Sequence, residues 1–418
     1  MTRCHIDAVA FGGEGVSRLD GLVLFTPFTL PTEDVEVMIY EKKKRFGRAH
    51  LLFISQESPN RITPPCPYFT KCGGCQLQHA SYAYQLSLKR QFLQDSFDRI
   101  GKIKLLIPEV IGSSKEKAYR RHITCKLSFL EQKWQLCFSA IDHTLLPIQE
   151  CLLLQEPEDA ILSSLQKAFA QLPPSIPLHG RLKLMKTTDG YLGALFVEES
   201  LTEKNEQTLF LLLSSYFESF YIQTPYKTTK TGTLQHSFIC LGLTIYYSPF
   251  SFLQNHPEQS ERIYSLLANL FQENTTILDL YCGIGISSLI LAKAGKHVLG
   301  IEINQESLAL AKKNAACNDC LVEFICTSAE NYFQEAPSLF QPDGLLINPP
   351  KSGLSQEVQQ ILASLPIKTI VYISCYPPTL ARDSAFLQTR GYSITFIQGY
   401  DMFPQTTHVE TVVQFSKS

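Results

Sequence analysis

Apolar and polar positions follow each other along this chain in three different rhythms. Over residues 1–57 the apolar runs are short: Ile6–Phe11, Gly21–Phe25, Val35–Ile39 and Ala49–Ile54, separated by Gly, Pro and Asp-Gly turn signals. That rhythm predicts about five short strands closing into a small β-barrel. Pro59, Pro64, Pro65 and Pro67 then break the pattern. From Ser81 to Arg99 the period lengthens, and Leu86, Phe92, Leu93 and Phe97 fall on one side of a predicted helix. From there to residue 245 strand-like and helical segments mix without a clear period, which reads as a central α+β domain.

The third rhythm starts at Thr275. TILDLYC, HVLGIEI, VEFICT, DGLLINPP, TIVYISC and YSITFIQ are compact apolar runs of strand length. Helix-length segments such as Gln305–Cys317 and Pro377–Thr389 separate most of them. This alternation predicts a Rossmann-like α/β domain with a doubly wound, mostly parallel sheet. The chain is therefore expected to be multidomain: a barrel over 1–57, a central α+β domain over 58–245 and an α/β domain over 246–418. A length of 418 residues fits, because one hydrophobic core rarely serves so long a chain.

Composition changes the picture in three ways. No apolar run approaches the roughly 20 residues of a membrane span, and Leu209–Leu213 is far too short. The opening MTRCHIDAV lacks the apolar stretch of a secretory signal, so a cytosolic protein is expected. Thirteen cysteines in that reducing setting are not a disulfide framework; metal ligation, catalysis and burial divide them. The net charge of −2 does not advertise a polyanionic partner, but phosphate recognition needs only a local patch. Two patches qualify: Lys42, Lys43, Lys44, Arg45 and Arg48, and then Arg120, Arg121 and Lys126. A solvated basic face is the competing reading of each.

The candidate chemistry lies at the ends of the C-terminal strands. Leu278-Asp279-Leu280-Tyr281-Cys282-Gly283-Ile284-Gly285 is a strand entering a glycine turn, where backbone can approach a nucleotide closely. Glu302 ends the next strand, in position to accept hydrogen bonds from ribose hydroxyls. A single G-x-G with an acid about 20 residues on favours adenosylmethionine over a dinucleotide. Asn348-Pro349-Pro350 ends another strand, a polar–Pro–Pro turn of the sort that lines cofactor and base pockets in methylating enzymes. Cys375 stands between a strand and a predicted helix, whose N-terminus is expected to lower its pKa. Glu410, in a run poor in charge, is a general-base candidate. A thiol and a base are what methylation at C5 of uracil requires. Thiolate addition at C6 makes C5 nucleophilic, and a base then removes the C5 proton.

On ISCYPPTLARD and DMFPQTTHVE, supported by LDLYCGIG, NPPKSG and FLQN, the sequence resembles the RNA 5-methyluridine methyltransferase family over nearly its whole length. The resemblance implies that Cys375 is the nucleophile and Glu410 the base, acting with S-adenosyl-L-methionine. Gln254, Tyr281, Glu302, Ser328 and Asn348 fall where the family holds that cofactor. This chain departs from the family at Asn348 (usually Asp), Lys351 (usually Arg), Tyr376 (commonly Asn) and Ile286 (often Asn). The resemblance gives His408 and Asp401 no definite role. His79 and His122 read as structural.

Cys66, Cys72, Cys75 and Cys151 form a second constellation, and four thiolates suit zinc or an iron–sulfur cluster. Spacing alone slightly favours zinc, because C-x2-C is a common zinc knuckle. CPYFTKCGGCQLQHA, however, is similar to the rRNA-specific members of the family, which implies a [4Fe–4S] cluster. EGVSRLDGLVLFTPFTLPTEDVEV looks like a TRAM domain, an OB-like barrel appended to RNA-modifying enzymes, and turns the lysine run into an expected RNA contact. The expected substrate is thus a uridine of 23S rRNA, with no membrane and no obligate protein partner called for. The alternatives are the T-loop uridine of tRNA, a decayed RNA-binding protein, and, further off, a small-molecule methyltransferase.

Overall fold

The computed structural model describes residues 1–155, 160–232, 236–335 and 340–417. Its N-terminal unit is a six-stranded sheet in the order Thr2–His5, Asp34–Lys42, Phe46–Gln56, Leu22–Pro27, Glu14–Leu19, Ala8–Val9. The sheet curls back on itself, so that Asp7 N–H donates to the Val16 carbonyl at 2.8 Å. Period-two alternation turns Ile6, Val35, Val37 and Ala49 into the interior and leaves Tyr40 and His50 outside. The apolar rhythm marks the other long strands but not Glu14–Leu19, because its inward-facing residues are Gly15 and Ser17. Glycine is required there: a Cβ on Gly15 would lie 1.9 Å from Thr29 Oγ1.

The central unit is a seven-stranded sheet in the order Thr228–Gly232, Ser219–Gln223, Tyr191–Val197, Gly180–Lys186, His122–Leu130, Lys133–Ser139, Leu145–Pro147. Helices Ile161–Phe169 and Glu203–Leu213 cover one face through Leu165, Phe169 and Leu209. The other face, with Met185, Leu192 and Ala194, meets the hairpin His236–Cys240/Leu243–Tyr247. Ile284, Ile286 and Leu289 of the next unit join that same cluster.

The C-terminal sheet has the order Glu323–Cys326, His297–Glu302, Thr276–Leu280, Gly344–Ile347, Thr369–Ser374, Glu410–Ser416, Ser393–Tyr400. The first five strands are mutually parallel; Glu410–Ser416 runs antiparallel to both its neighbours, Thr369–Ser374 and Ser393–Tyr400. Ile277–Leu280, Gly344–Ile347 and Thr369–Ser374 are buried without a break, as expected where helices cover both faces of a parallel sheet.

The 58–245 stretch is not one packing unit. Helix Tyr82–Ser96 continues through a π-turn at Phe97–Gly101, and Leu93, Phe97, Ile107 and Val110 share a core with Leu278, Leu345, Tyr372 and Val413. The helix is also not apolar along its inner face: Gln85 and Lys89 are both fully buried. No described helix is long and apolar enough to cross a membrane.

Candidate active site

The carboxyl ends of the five parallel strands meet along one edge of the sheet, the ligand edge of an open α/β fold. Tyr281, Glu302, Ser328, Asn348 and Cys375 all stand at or just past those ends. Tyr281 takes φ +64°, a costly left-handed conformation for a side chain of its size, and opens the turn through Gly283 (+57°) and Gly285 (+85°). The Glu302 carboxylate is pinned by two backbone donors, Gly283 N–H at 3.0 Å and Asn304 N–H at 2.8 Å. The glycine turn and the acid are thereby fixed to one another. Ser328 has a structural task of its own: its hydroxyl accepts from Asn331 N–H at 3.1 Å, capping helix Ala329–Glu335. Gln254 is half-buried in the loop before helix Pro257–Leu270; the neighbouring Asn255 accepts from His122 N–H at 3.1 Å and Arg121 N–H at 2.8 Å.

Beneath the turn lies a residue the sequence pattern does not single out. Asp279 is buried in strand Thr276–Leu280 and accepts both the Ser287 and Ser288 hydroxyls at 2.6 Å. Burial pushes its carboxyl up to about 6 against those two lowering bonds. It ties the strand to the first turn of helix Ile286–Lys293 and so holds the glycine turn between them. Its signal was available, a carboxylate inside an apolar strand, but it is shared by any satisfied core acid.

Cys375 and Glu410 come together through strand register. Thr369–Ser374 pairs antiparallel with Glu410–Ser416, with Ser374 opposite Thr411. Cys375 is the next residue after the first strand and Glu410 the first of the second, and the Glu410 charge reaches the thiol. Glu410 is 2% exposed, and burial pushes its carboxyl up to about 7. Cys375 is half-buried, and its thiol is raised to about 11, first by burial and then by the charge of Glu410, with Lys351 pulling the other way. The expected lowering of this thiol by the helix N-terminus is therefore outweighed by desolvation. Lys351 Nζ also lies 3.5 Å from His408 Nε2, and burial lowers that imidazole to about 4, so the ring is neutral.

The tRNA (uracil-5-)-methyltransferase family matches residues 247–418. A chain named uncharacterized RNA methyltransferase from Protochlamydia amoebophila is 40% identical across 99% of this chain and 97% of its own length. This chain belongs to the RNA 5-methyluridine methyltransferase family. It is an S-adenosylmethionine-dependent RNA uracil-C5 methyltransferase, as the following two relatives bear out. The 23S rRNA (uracil(1939)-C(5))-methyltransferase RlmD of Shewanella amazonensis is 32% identical over 96% of this chain and 93% of its own. The Pyrococcus abyssi tRNA (uracil-54, C5)-methyltransferase, solved with S-adenosyl-L-homocysteine, is 25% identical, with a TM-score of 0.78 over 99% of this chain and 100% of that one.

In this methyltransferase the 401–409 loop, which leads to Glu410, is clamped from outside the C-terminal sheet. Lys89, fully buried, donates to Asp401 Oδ1 at 2.5 Å and to the Phe403 carbonyl at 2.9 Å. Gln85 exchanges two bonds with Gln405, each at 3.0 Å. Tyr119 Oη donates to the Pro404 carbonyl at 3.0 Å. Gln76 and Leu77, next to Cys75, both donate backbone N–H to the Gln405 carbonyl, at 3.1 and 3.0 Å. The cysteine segment thus bonds directly to the loop that carries the carboxylate.

Cys66, Cys72, Cys75 and Cys151 line one cavity of about 680 Å³ between the N-terminal and central sheets, together with Arg120. Among the described residues no group of three or more His, Cys, Asp or Glu is disposed to hold a single metal ion. Arg120 Nε is buried without a hydrogen-bond partner. The second basic patch is therefore not a surface: Arg120 faces the cysteines and Arg121 stacks 3.9 Å over the Phe238 ring, leaving only Lys126 exposed. Lys42, Lys43, Lys44 and Arg45 are all exposed, beside the stacked Tyr40 and His50 rings, 4.2 Å apart. His79 and His122 are desolvated to about 4 and about 3, so both are neutral. Ile286, where the family often has Asn, is buried in the contact with the central sheet.

Proposed function

We propose that this enzyme methylates C5 of a uridine in 23S rRNA through a covalent adduct on Cys375. The observation that carries the mechanism is that Cys375 directly follows strand Thr369–Ser374 where its antiparallel partner begins with the buried Glu410, whose charge reaches the thiol. The Cys375 thiolate adds to C6 of the uracil, and the resulting enolate attacks the sulfonium methyl group from C5, releasing S-adenosylhomocysteine. Glu410 then takes the C5 proton, the C5–C6 double bond re-forms and Cys375 leaves. Lys351, the cation that lowers the thiol, favours the thiolate in the first step. Tyr281, Glu302, Ser328, Asn348 and Gln254 hold the methyl donor, with Glu302 directed at its ribose. The target nucleotide must leave its stack to reach the thiol.

The rRNA reading rests on the sequence relationship to the Shewanella enzyme. The N-terminal and cysteine-bearing segments do not discriminate, since the Pyrococcus tRNA enzyme matches the full length of this fold. That match makes the T-loop uridine of tRNA the second reading. We also assign the curled N-terminal sheet as a TRAM-type RNA-binding unit and place the protein in the cytosol.

The four cysteines are assigned to a [4Fe–4S] cluster, supported by four soft donors lining one cavity beside Arg120, whose Nε has no hydrogen-bond partner. Such a cluster supplies a rigid cross-link there; the methyl transfer needs no electron. Iron and sulfide analysis of anaerobically purified protein checks it, and Cys151→Ser should lose both. The substrate test is methyl transfer to unmodified 23S rRNA and to tRNA, followed by nucleoside analysis. 5-Methyluridine in 23S rRNA is expected; product in tRNA alone would keep the mechanism and replace the substrate.

A further inference from the structure

The rings near Cys375 come from three distant parts of the chain. Tyr376 follows the nucleophile, Phe403 and His408 belong to the 401–409 loop, and Phe11 arrives from the N-terminal sheet. The Phe11 centroid lies 5.3 Å from that of Tyr376 at 76°, 6.5 Å from His408 at 73° and 5.8 Å from Phe92 at 80°. All three are edge-to-face contacts, a favoured aromatic geometry. The turn carrying Phe11 is shaped for this reach. Gly13 N–H donates to the Ala10 carbonyl at 2.9 Å, and Gly12 and Gly13 adopt φ +118° and +92°. A Cβ on Gly13 would lie 2.7 Å from Gln76 Cβ and 3.3 Å from Thr407 Cγ2. The turn is therefore seated between the cysteine segment and the 401–409 loop.

A base that reacts at Cys375 has given up its own stacking partners, and an aromatic face in the protein offsets that loss. Tyr376 is half-buried, adjoins the nucleophile and stands where the family commonly has Asn. We propose that Tyr376 is the ring on which the everted uracil stacks, and that Phe11 holds it in place from the N-terminal sheet. Tyr376 is then a specificity-determining residue, Phe11 a positioning residue, and the N-terminal unit helps build the uridine pocket as well as binding RNA. This rests on Cys375 acting toward uridine. Simple packing is the competing explanation for Phe11, which also touches a small apolar cluster containing Val9, Leu30 and Phe92.

Single-turnover methylation of a uridine-containing RNA separates the two. Each variant's S-adenosylhomocysteine affinity and thermal midpoint are measured alongside. Tyr376→Ala should slow transfer about tenfold or more with cofactor affinity unchanged, and Tyr376→Phe, which keeps the ring, should recover most of the rate. Phe11→Ala should slow transfer several-fold, and Phe11→Leu, with apolar bulk but no ring, should not restore it. Full recovery by Phe11→Leu, or wild-type rates from Tyr376→Ala, would overturn the proposal. If Phe11→Ala does not fold, the Tyr376 pair decides alone. A wild-type enzyme that transfers no methyl to any uridine RNA takes down the functional reading and this inference together. An active wild type with an indifferent Tyr376→Ala takes down the inference only.

Discussion

At the scale of single residues, Glu410 couples stability to the proposed chemistry. Its carboxyl rises from 4.5 to about 7 because it is buried. A raised carboxyl stabilises the fold fully below pH 4.5, and that contribution is lost as pH rises through about 7. The proposed scheme asks for the opposite form, since with Glu410 as base proton removal from C5 needs the carboxylate. Resolution of the RNA adduct should therefore speed up with pH through about 7, which rapid-quench measurements on adduct decay would follow. Glu410→Gln should accumulate adduct at every pH and lose less stability than wild type between pH 4.5 and 7. Cys375→Ala should bind cofactor normally and form no adduct; turnover by that variant would end the covalent scheme. Asp279→Ala removes the acceptor of two hydroxyls beneath the glycine turn. It should weaken S-adenosylhomocysteine binding in calorimetry and cost about 1–3 kcal/mol of stability. Sequence singled out Cys375 and Glu410 as candidates because their types and motifs suit the reaction, and the structure sets both at the ligand edge of the sheet. Asp279 was not singled out, because a buried serine-bonded acid looks, in sequence, like any acid in a strand.

At the scale of elements, the 401–409 loop owes its position to partners far away in the chain. Helix Tyr82–Ser96 supplies Gln85 and Lys89, the segment after Cys75 supplies two backbone donors, and Tyr119 supplies a hydroxyl. These polar residues are also why the helix face could not be read from apolar period alone: two of its inward positions hold hydrogen-bonding side chains. The C-terminal strands were legible because parallel strands covered on both faces are continuous apolar runs. The domain boundaries were not, since residues 82–110 join the C-terminal core through long-range packing that no local period records. The ion pair offers a direct test. Both members of the pair are fully buried, so Lys89→Met leaves the Asp401 charge without its cation. Breaking one side of such a pair costs about 3–5 kcal/mol. Amide exchange across residues 401–409 should quicken about a hundredfold or more. Adding Asp401→Asn should reverse most of that change. Equal exchange in the single and double variants would mean that the backbone bonds to Gln405 hold the loop without the ion pair.

At the scale of the whole molecule, a chain with net charge −2 has to bring a polyanion to a half-buried thiol. The structure leaves Lys42, Lys43, Lys44 and Arg45 exposed side by side at one end of the N-terminal sheet, in and beside the loop between Asp34–Lys42 and Phe46–Gln56. Not every cation there is available. Arg48 pairs with Glu14 at 2.7 Å, and Lys43 with Glu41 at 2.9 Å. The exposed Tyr40–His50 stack beside the loop adds a flat surface for a base, and exposed rings on such sheets bind single strands through stacking. The lysine run is exposed, as a basic edge should be, but Arg120 and Arg121 are not the second patch that sequence counted, since charge is visible in sequence and burial is not. If the loop binds phosphates, replacing Lys42, Lys44 and Arg45 together with Gln should weaken RNA binding without touching the chemistry. Every phosphate that is no longer neutralised should flatten the slope of log affinity against log salt by about 0.7 for single strands. Removing three such cations should lower the slope by about 2, and kcat at saturating RNA should hold. A triple variant with an unchanged slope would place the phosphate path elsewhere and leave this loop as a solvated face. A fall in kcat with an unchanged slope would point to a role in seating the N-terminal sheet against Tyr376 and the 401–409 loop.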